Sequence, residues 1–409
     1  MTTGDAPPES IDATARPLSP SAPAAPRAVD ELIDRARACR AFSHDFPAAE
    51  WWSPRFEGDR LDRALAEEEA GPITLRFTLP AQGTAADLDR LRVELLATSI
   101  RVPRLRDRVL SRLELCFASA EECFDTAELV ATTRHVFPRT ANLPVLAGLR
   151  RIPTEAELSR LRSAGCAHLF LHDLDGSSLA ASIPDLRALG FTTIAARVAP
   201  SELASHEGVL VGEDGLDTIE FTTLTGSDPS TDHDEVGAAL IARGTLERRG
   251  YRAVHPRTFR RGEVGPQRTR PMDGSSLLGI GPNAVSRAGA IVWRNDPDLA
   301  TWADAIDDGR RPPGRGTKVS VEDRRRRVIL DALLNHGRFE PGVLGRTLEV
   351  DLEAAFPTEV AALGAAIGDG LLRENATGLE VTPLGSLFVE VVAACFDPGE
   401  RGRAHGIGL

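Results

Sequence analysis

Short apolar segments alternate with amphipathic segments between residues 72 and 250. The apolar, β-rich runs cover residues 73–79, 113–118, 143–149, 167–173, 191–198 and 218–225. The segments between them have the residue spacing of amphipathic helices, as in 85–98, 126–137, 154–164 and 234–249. Six strands that each lead into a helix or a shorter connection predict parallel βα units. Because six units are too few to close an eight-stranded barrel, we predict an α/β fold with an open, partial (βα)6 barrel.

The alternation stops after residue 256, and a different organisation follows. Residues 256–272 and 310–318 are rich in Arg, Pro and Gly and predict loops, and residues 279–286 predict a glycine-rich turn. Ser320 with Asp323 predicts the start of a strong helix. A second helix, predicted at 357–367, precedes a short polar hairpin. We therefore predict a helical, winged-helix-like module at the C-terminal end.

These patterns divide the chain into four parts. Residues 1–45 are predicted to form a disordered Pro- and Ala-rich tail followed by a short helix. Residues 46–255 are predicted to form the partial barrel. Residues 256–318 form a Gly/Pro-rich connecting segment, and residues 319–409 form the winged-helix-like domain.

Composition narrows the classes of function. The chain of 409 residues has a formal net charge of −12, which makes nucleic acid an unfavourable partner. No apolar run is long enough to span a membrane. The five cysteines are scattered, which is typical of a reduced, cytoplasmic protein and not of a disulfide framework. Cys116 and Cys123 are spaced more widely than most paired metal ligands, so no metal site is predicted from them.

The motifs between residues 240 and 397 resemble one known family. They are Gly250-Tyr251, residues 278–286, Asn295, Trp302, residues 322–329, residues 368–371 and Phe396-Asp397. Their order and spacing resemble the oxygen-independent coproporphyrinogen III oxidases, the HemN/HemW-like radical SAM family. The resemblance implies a barrel of the radical SAM type, with a 4Fe–4S cluster and S-adenosylmethionine as cofactors. It also makes Gly279, Gly281 and Asn283 candidate cofactor-binding residues.

The residues that would hold the cluster are replaced in this chain. In the family, the first strand leads into a CxxxCxxC motif, and thiolates of this kind hold iron–sulfur clusters. The corresponding positions here are Gln82, Ala86 and Asp89. Residues 117–121 likewise replace the family's glycine-rich motif after the second strand. We therefore expect no cofactor, and we interpret the chain as a relative that kept the scaffold and lost the cluster ligands.

Polar residues in the predicted barrel are candidates for a replaced active site. His168 and His172 share one face of the fourth strand, about 13 Å apart along it. Either could act as an acid–base group or as an axial ligand of a tetrapyrrole. Glu121, which follows the second strand, is the third candidate catalytic residue. The competing interpretation is that the histidines are ordinary polar residues of the barrel.

Three functions stay open at this point. The leading hypothesis is a non-radical pseudoenzyme that binds a small molecule, with a tetrapyrrole as one candidate, or a partner protein. The alternative is an oxidoreductase of the family's type, or a repurposed enzyme that uses new barrel residues. The third is a scaffolding or regulatory protein acting through the C-terminal domain. There the arginines at 324–327 would suggest DNA binding, but Glu322 and Asp323 flank them.

Overall fold

Eight segments of the chain are described by the computed structural model. They are residues 29–38, 52–68, 71–80, 84–117, 126–172, 174–222, 229–262 and 275–396. The tail predicted to be disordered, Gln82, Glu121 and Cys123 lie outside these segments.

Six parallel strands form the centre of one large sheet. They are Ile73–Leu79 (β1), Leu110–Phe117 (β2), Val145–Leu149 (β3), His168–Leu171 (β4), Thr193–Val198 (β5) and Thr218–Phe221 (β6). Each strand pairs in parallel with the next. The predicted α/β fold with a central parallel sheet is therefore confirmed.

Helices precede these strands and connect them. They are Val29–Ala38 (α1), Asp59–Glu67 (α2), Ala85–Arg101 (α3), Ala127–Val136 (α4), Glu155–Ser163 (α5), Gly176–Ala188 (α6), Pro200–Ser205 (α7), Glu207–Leu210 (α8) and Pro229–Arg248 (α9). Thr154 begins α5 as predicted, because its hydroxyl accepts the backbone N–H of Glu157 while the Glu157 carboxylate accepts the N–H of Thr154.

The sheet extends beyond the six predicted strands on both sides. An antiparallel hairpin, Tyr251–His255 (β7) and Thr258–Arg261 (β8), pairs with β6. On the other side Ser276–Ile280 (β9) pairs in parallel with β1, and Val285–Ala288 (β10), Ile291–Asn295 (β11) and Gly314–Lys318 (β12) continue antiparallel. The strand order is β12-β11-β10-β9-β1-β2-β3-β4-β5-β6-β8-β7.

The predicted connecting segment, residues 256–318, thus contributes strands to the sheet. The loops predicted at 256–272 and 310–318 contain β8 and β12, and the predicted turn at 279–286 lies between β9 and β10. The glycines misled the prediction because they serve close strand packing. A methyl group at Gly279 would overlap the backbone of Val285, and one at Gly314 would overlap that of Arg294. The division of the chain into domains stays a prediction.

The helices that the structure describes pack against one face of the parallel sheet. Leu75, Leu115 and Leu169 point to that face and are fully buried in the main core. Because strand residues alternate between faces, their neighbours Arg76, Glu114 and Phe170 lie on the opposite face. We call this opposite face the inner face.

The C-terminal part combines helices with a small antiparallel sheet of order β13-β15-β14. Helix Leu299–Asp307 (α10) precedes it. Its elements are Val321–His336 (α11), Arg338–Phe339 (β13), Pro341–Leu348 (α12), Leu352–Ala355 (α13), Pro357–Gly368 (α14), Leu372–Glu374 (β14), Leu379–Val381 (β15), Pro383–Leu387 (α15) and Val389–Ala393 (α16). The Ser320 hydroxyl accepts the Asp323 N–H at 3.0 Å and caps α11 as predicted. The winged-helix-like assignment stays a prediction.

Two of the joints between the C-terminal part and the rest of the described chain contain an ion pair. In the β7–β8 turn, Arg257 forms an ion pair with Glu390 of α16, with Nη1 2.8 Å from Oε2. At the other joint, α1 packs against α9 and α16, with Leu32 and Ile33 buried. Arg35 of α1 also reaches Asp369 at 2.9 Å.

Candidate functional site

Charged residues stand between apolar ones in β1 and β2 and meet on the inner face. Arg76 Nε donates to Glu114 Oε2 at 2.8 Å, and Arg112 Nε lies 3.5 Å from Glu114 Oε1. The Glu114 side chain is 1% exposed, whereas Arg76 and Arg112 are 17% and 16% exposed. Two guanidinium groups around one carboxylate give this group, the first arginine cluster, a net positive charge.

A second arginine cluster lies on the same face where β5, β6, β8 and β7 adjoin. Arg197 Nη2 is 2.6 Å from Glu220 Oε1, and both side chains are about a quarter exposed, at 29% and 25%. On β8, Arg260 lies opposite Thr218 of β6 and opposite Arg252 of β7. Like charges directly opposite each other repel across a sheet, so this end of the inner face also favours an anion.

An apolar area separates the two arginine clusters. Leu146, Phe170 and Ala195, from β3, β4 and β5, form a buried group distinct from the main core. Gly148 lies on the same face beside Phe170. Strands pack about 4.8 Å apart, so β2 and β5 are about 14 Å apart across the sheet. The pairing also places Arg197 six residues further along its strand than the position level with Arg112.

The two candidate histidines lie at opposite ends of β4. His172 follows the C-terminal end of the strand, is 7% exposed, and its ring centroid is 4.4 Å from that of Phe170. It lies one residue beyond the pair Leu171 and Ala196, next to Arg197. Active sites of βα barrels collect at this end of the strands. Of the two histidines, His172 is therefore the better placed.

His168 lies at the N-terminal end of β4. Its Nδ1 is 3.0 Å from the Thr193 hydroxyl. Burial, together with the charge of Arg162, lowers the pKa of His168 below the ordinary histidine value. The structure does not bring His168 and His172 together, and Glu121 lies outside the described residues.

Gly279, Gly281 and Asn283 occupy the β9–β10 connection. The Gly281 N–H donates to the buried carboxylate of Glu94, on α3, at 2.9 Å. Asn283 is exposed and has a φ of 58°. The contacts of the two glycines are structural, and the predicted cofactor role of all three residues stays a prediction.

Glu94 also binds two other motif residues. Its Oε1 accepts from Asn295 Nδ2 at 2.8 Å, and its Oε2 accepts from Trp302 Nε1 at 2.9 Å. Burial raises the pKa of Glu94, which the three donated hydrogen bonds oppose. Gly281, Asn295 and Trp302, which are widely separated in the sequence, are thus held by one carboxylate.

The arginines at 324–327 are partly structural. Arg326 is 7% exposed, pairs with Glu359 at 2.6 Å, and its guanidinium lies 5.1 Å from the Phe356 ring centroid. It therefore stabilises the contact between α11 and α14. Among the described residues, no group of three or more His, Cys, Asp or Glu could hold a metal ion. No helix in the described segments is long and apolar enough to cross a membrane.

The fold and site define a class of protein, an open βα barrel with a polar inner face. No family model matches the chain. In sequence it is similar to oxygen-independent coproporphyrinogen III oxidases. It is 34% identical over 124 residues to that of Thermostichus vulcanus, 32% over 127 residues to that of Synechocystis sp., and 25% over 131 residues to that of Escherichia coli. These matches cover 30–32% of this chain and span 38%, 27% and 29% of the relatives' own lengths.

A solved structure matches most of the chain. It is described as "Coproporphyrinogen III oxidase (HemN) from Escherichia coli is a Radical SAM enzyme". The TM-score is 0.71 at 18% sequence identity, covering 87% of this chain and 97% of the solved chain. The chain therefore has the HemN fold. The resemblance to the oxygen-independent coproporphyrinogen III oxidases that the motifs predict is confirmed.

The same comparisons contradict the expectation that no cofactor is bound. The solved protein that shares the fold is described as a radical SAM enzyme, and its fold is retained here almost end to end. The expectation rested on the replaced cysteines and on the replaced glycine-rich motif, and it is withdrawn.

The described residues at the cysteine positions do not themselves fit a cluster held by thiolates. Ala86 offers an exposed methyl group, and the Asp89 carboxylate is paired with Arg92 at 3.0 Å. We therefore derive no reaction step through such a group.

Sequence reasoning missed most of the inner-face charges. A signal was present, because Arg76, Glu114 and Glu220 each stand between two apolar residues of a strand. A charged residue in an otherwise apolar strand marks the face that helices do not cover. The sequence alone could not show that Arg76 and Arg112 converge on one carboxylate, because that depends on the β1–β2 register.

Proposed function

We propose that this chain is a HemN-like protein whose inner face binds a flat, apolar molecule with anionic groups at opposite edges. The observation that carries this proposal is the apolar area at Leu146, Phe170 and Ala195, flanked by the two arginine clusters. Arginine recognises carboxylates through paired, charge-assisted hydrogen bonds. A ligand of this shape would place its apolar body on the Phe170 area and its carboxylates on the clusters.

A tetrapyrrole carboxylate is the ligand class that we favour. In its oxidised form, a porphyrin, the macrocycle is flat and apolar, and its carboxylates lie at the edge of the ring. The relatives are named for coproporphyrinogen, the reduced and puckered form of such a macrocycle with the same carboxylates. The protein's net charge of −12 would repel an anion from most of its surface. The two arginine clusters therefore make the inner face the place where an anion is attracted.

In the form of the proposal that we favour, the chain is a pseudoenzyme that binds the macrocycle and does not oxidise it. The replacement of family cysteines by Ala86 and Asp89 supports this form. The test is turnover of coproporphyrinogen after anaerobic reconstitution with iron and sulfide, in the presence of S-adenosylmethionine and a low-potential chemical reductant, with the iron and sulfide content measured on the same sample. Absence of turnover supports the pseudoenzyme, and turnover with a stoichiometric cluster contradicts it.

A repurposed enzyme is the second candidate, and the position of His172 favours it. The imidazole lies at the C-terminal end of β4, beside Arg197 and against Phe170. There it could transfer a proton to or from a ligand on the apolar area. Turnover that is lost in His172→Ala but retained in His135→Ala, an exposed histidine of α4, would establish this role.

The binding proposal is tested directly with coproporphyrin. Titration of the full chain, followed by tryptophan fluorescence and porphyrin absorbance, should give saturable binding that weakens as salt is added. Arg112→Gln removes the excess charge and leaves the Arg76–Glu114 pair, so no buried carboxylate stands alone. We expect about tenfold weaker binding, the loss of one charged hydrogen bond.

The matched control is Arg310→Gln, an exposed arginine paired with Asp308. It should bind as the unchanged chain does. A porphyrin without carboxylates should bind weakly or not at all. Equal affinity of the inner-face variant and the Arg310 control would refute the proposed site, provided that both melt as the unchanged chain does.

A further inference from the structure

A cleft lies between the edge strand β7 and the C-terminal part of the chain. Its volume is about 430 Å³, which falls within the usual range of small-molecule sites. Five of the eight residues that line it are apolar and come from β7, α11 and α12. They are Ala253, Val254, Ala332, Val343 and Leu344.

The rim of the cleft carries three polar side chains, and two of them have partners. His336 Nε2 lies 3.6 Å from Asp331 Oδ2. Glu340 accepts a hydrogen bond from the Thr377 hydroxyl at 3.0 Å. The third side chain is that of Arg338.

Arg338 makes no side-chain hydrogen bond or ion pair with any residue that the structure describes. Its cross-strand neighbour is Glu380, but the Glu380 carboxylate is taken by Arg373 at 3.0 Å. An arginine without a partner on the rim of an apolar cleft can receive the head group of a ligand. The guanidinium fork matches a carboxylate in particular.

We propose that this cleft is a second ligand site, which binds an amphipathic carboxylate. The hydrocarbon body would lie against Val254, Ala332 and Val343, and the carboxylate would bind Arg338. Val343 is 45% exposed, so covering it removes apolar surface from water and favours binding.

The cleft lies where β7 meets α11 and α12, so a ligand bound there would contact both parts of the chain. The His336 ring, on the rim, is 6.5 Å from the ring of His255, which also contacts the Asn335 carbonyl across the joint. A ligand in the cleft touches β7 on one side and α11 and α12 on the other. It therefore strengthens the contact between the sheet and the C-terminal domain.

The test is calorimetric titration of the full chain with decanoate, decanol and decylammonium, each below the concentration at which it aggregates. We expect saturable one-to-one binding of decanoate, weaker binding of decanol, and none of decylammonium. Arg338→Gln should weaken decanoate binding at least about tenfold. Val343→Asp should abolish it by placing a charge against the hydrocarbon body.

Arg346→Gln is the matched control, because Arg346 is exposed on α12 and loses the same charge. Equal affinity of the Arg338 and Arg346 variants would overturn the proposal. Preferential binding of decylammonium would also overturn it, since that result would mean that Glu340, and not Arg338, binds the head group of the ligand. Decanoate should not compete with coproporphyrin, and competition between them would show that the two sites are not separate.

Discussion

Glu94 is the buried carboxylate on which four elements converge. It lies on α3 and accepts hydrogen bonds from the ends of β9 and β11 and from α10. All three partners are donors, so an acceptor at this position satisfies groups that would otherwise be buried without a hydrogen bond. The family-like motif residues Gly281, Asn295 and Trp302 thus share one physical requirement.

Glu94→Ala should lower the free energy of unfolding by more than about 3 kcal/mol, because three buried donors lose their acceptor. Glu94→Gln should cost less, about 1–3 kcal/mol, since only the amide nitrogen then faces a donor. Guanidinium unfolding, followed by tryptophan fluorescence, measures both. Asp89→Ala is the control on the same helix; its carboxylate is 70% exposed. A Glu94→Ala protein no less stable than Asp89→Ala would show that the hydrogen bonds contribute nothing.

The lowered pKa of His168 predicts a pH dependence of stability. As pH falls below the unfolded histidine value of about 6.5, the unfolded chain takes up the proton before the folded one does. The contribution is present above pH 6.5 and is lost as pH falls through the lower pKa of the folded state. His168→Asn should therefore flatten the decline in denaturant midpoint between about pH 7 and pH 5.

His135→Asn, at an exposed site on α4, provides the comparison for His168. NMR titration of the folded protein gives an independent reading, in which the His168 ring should titrate below 6.5. Equal pH profiles for the two variants would rule out the burial of His168 as the cause of the pH dependence of stability.

At the scale of elements, apolar runs explain where sequence reasoning succeeded, and glycines explain where it failed. Short apolar runs between amphipathic segments predicted β1 to β6, because buried parallel strands are mostly apolar along their length. The glycines of β9 and β12 instead suggested turns. Gly279 and Gly314 are needed because the backbone of a paired strand lies close to each of them. Local sequence does not show which strands pair.

Two glycines should respond in opposite ways to the same substitution. Gly281 has a φ of +110°, and a methyl group there would overlap the Thr78 carbonyl oxygen, so Gly281→Ala should destabilise by at least about 2 kcal/mol. Gly237 lies on the exposed side of α9 with open space around it. Gly237→Ala should stabilise by about 0.5–1 kcal/mol. Thermal unfolding measures the stability of both proteins. A change in melting temperature of the same sign in both would contradict the prediction.

At the scale of the whole molecule, the Arg257–Glu390 pair joins the large sheet to the C-terminal part of the described chain. Both side chains are largely buried, at 17% and 18% exposure. A double-mutant cycle with Arg257→Ala and Glu390→Ala should give a coupling energy of about 0.5–3 kcal/mol. Each single change should also raise hydrogen exchange in α16. Additive effects of the two changes would mean that the pair does not hold the joint.

The architecture could be predicted further from the sequence than the site could. Strand and helix patterns are local, and the motif order after residue 240 pointed to the HemN-like family. The arginine clusters, the contacts of Glu94 and the cleft at Arg338 depend on pairing between residues far apart in the chain. His172 was found because it lies within the apolar run 167–173, at the end of the strand that this run predicts. Arg76 and Glu220 were passed over because their partners could not be seen.

The burial of α1 has a consequence for the order of events during synthesis. Arg35 and its partner Asp369 are 334 positions apart, and β1 has no neighbour on one side until β9, beginning at Ser276, has been made. A ribosome therefore releases most of the barrel before the Arg35–Asp369 ion pair or the β1–β9 pairing can form. Until then, Leu32, Ile33 and one edge of β1 stay open to other chains. The growing polypeptide thus has its longest period of aggregation risk while its first half is already complete.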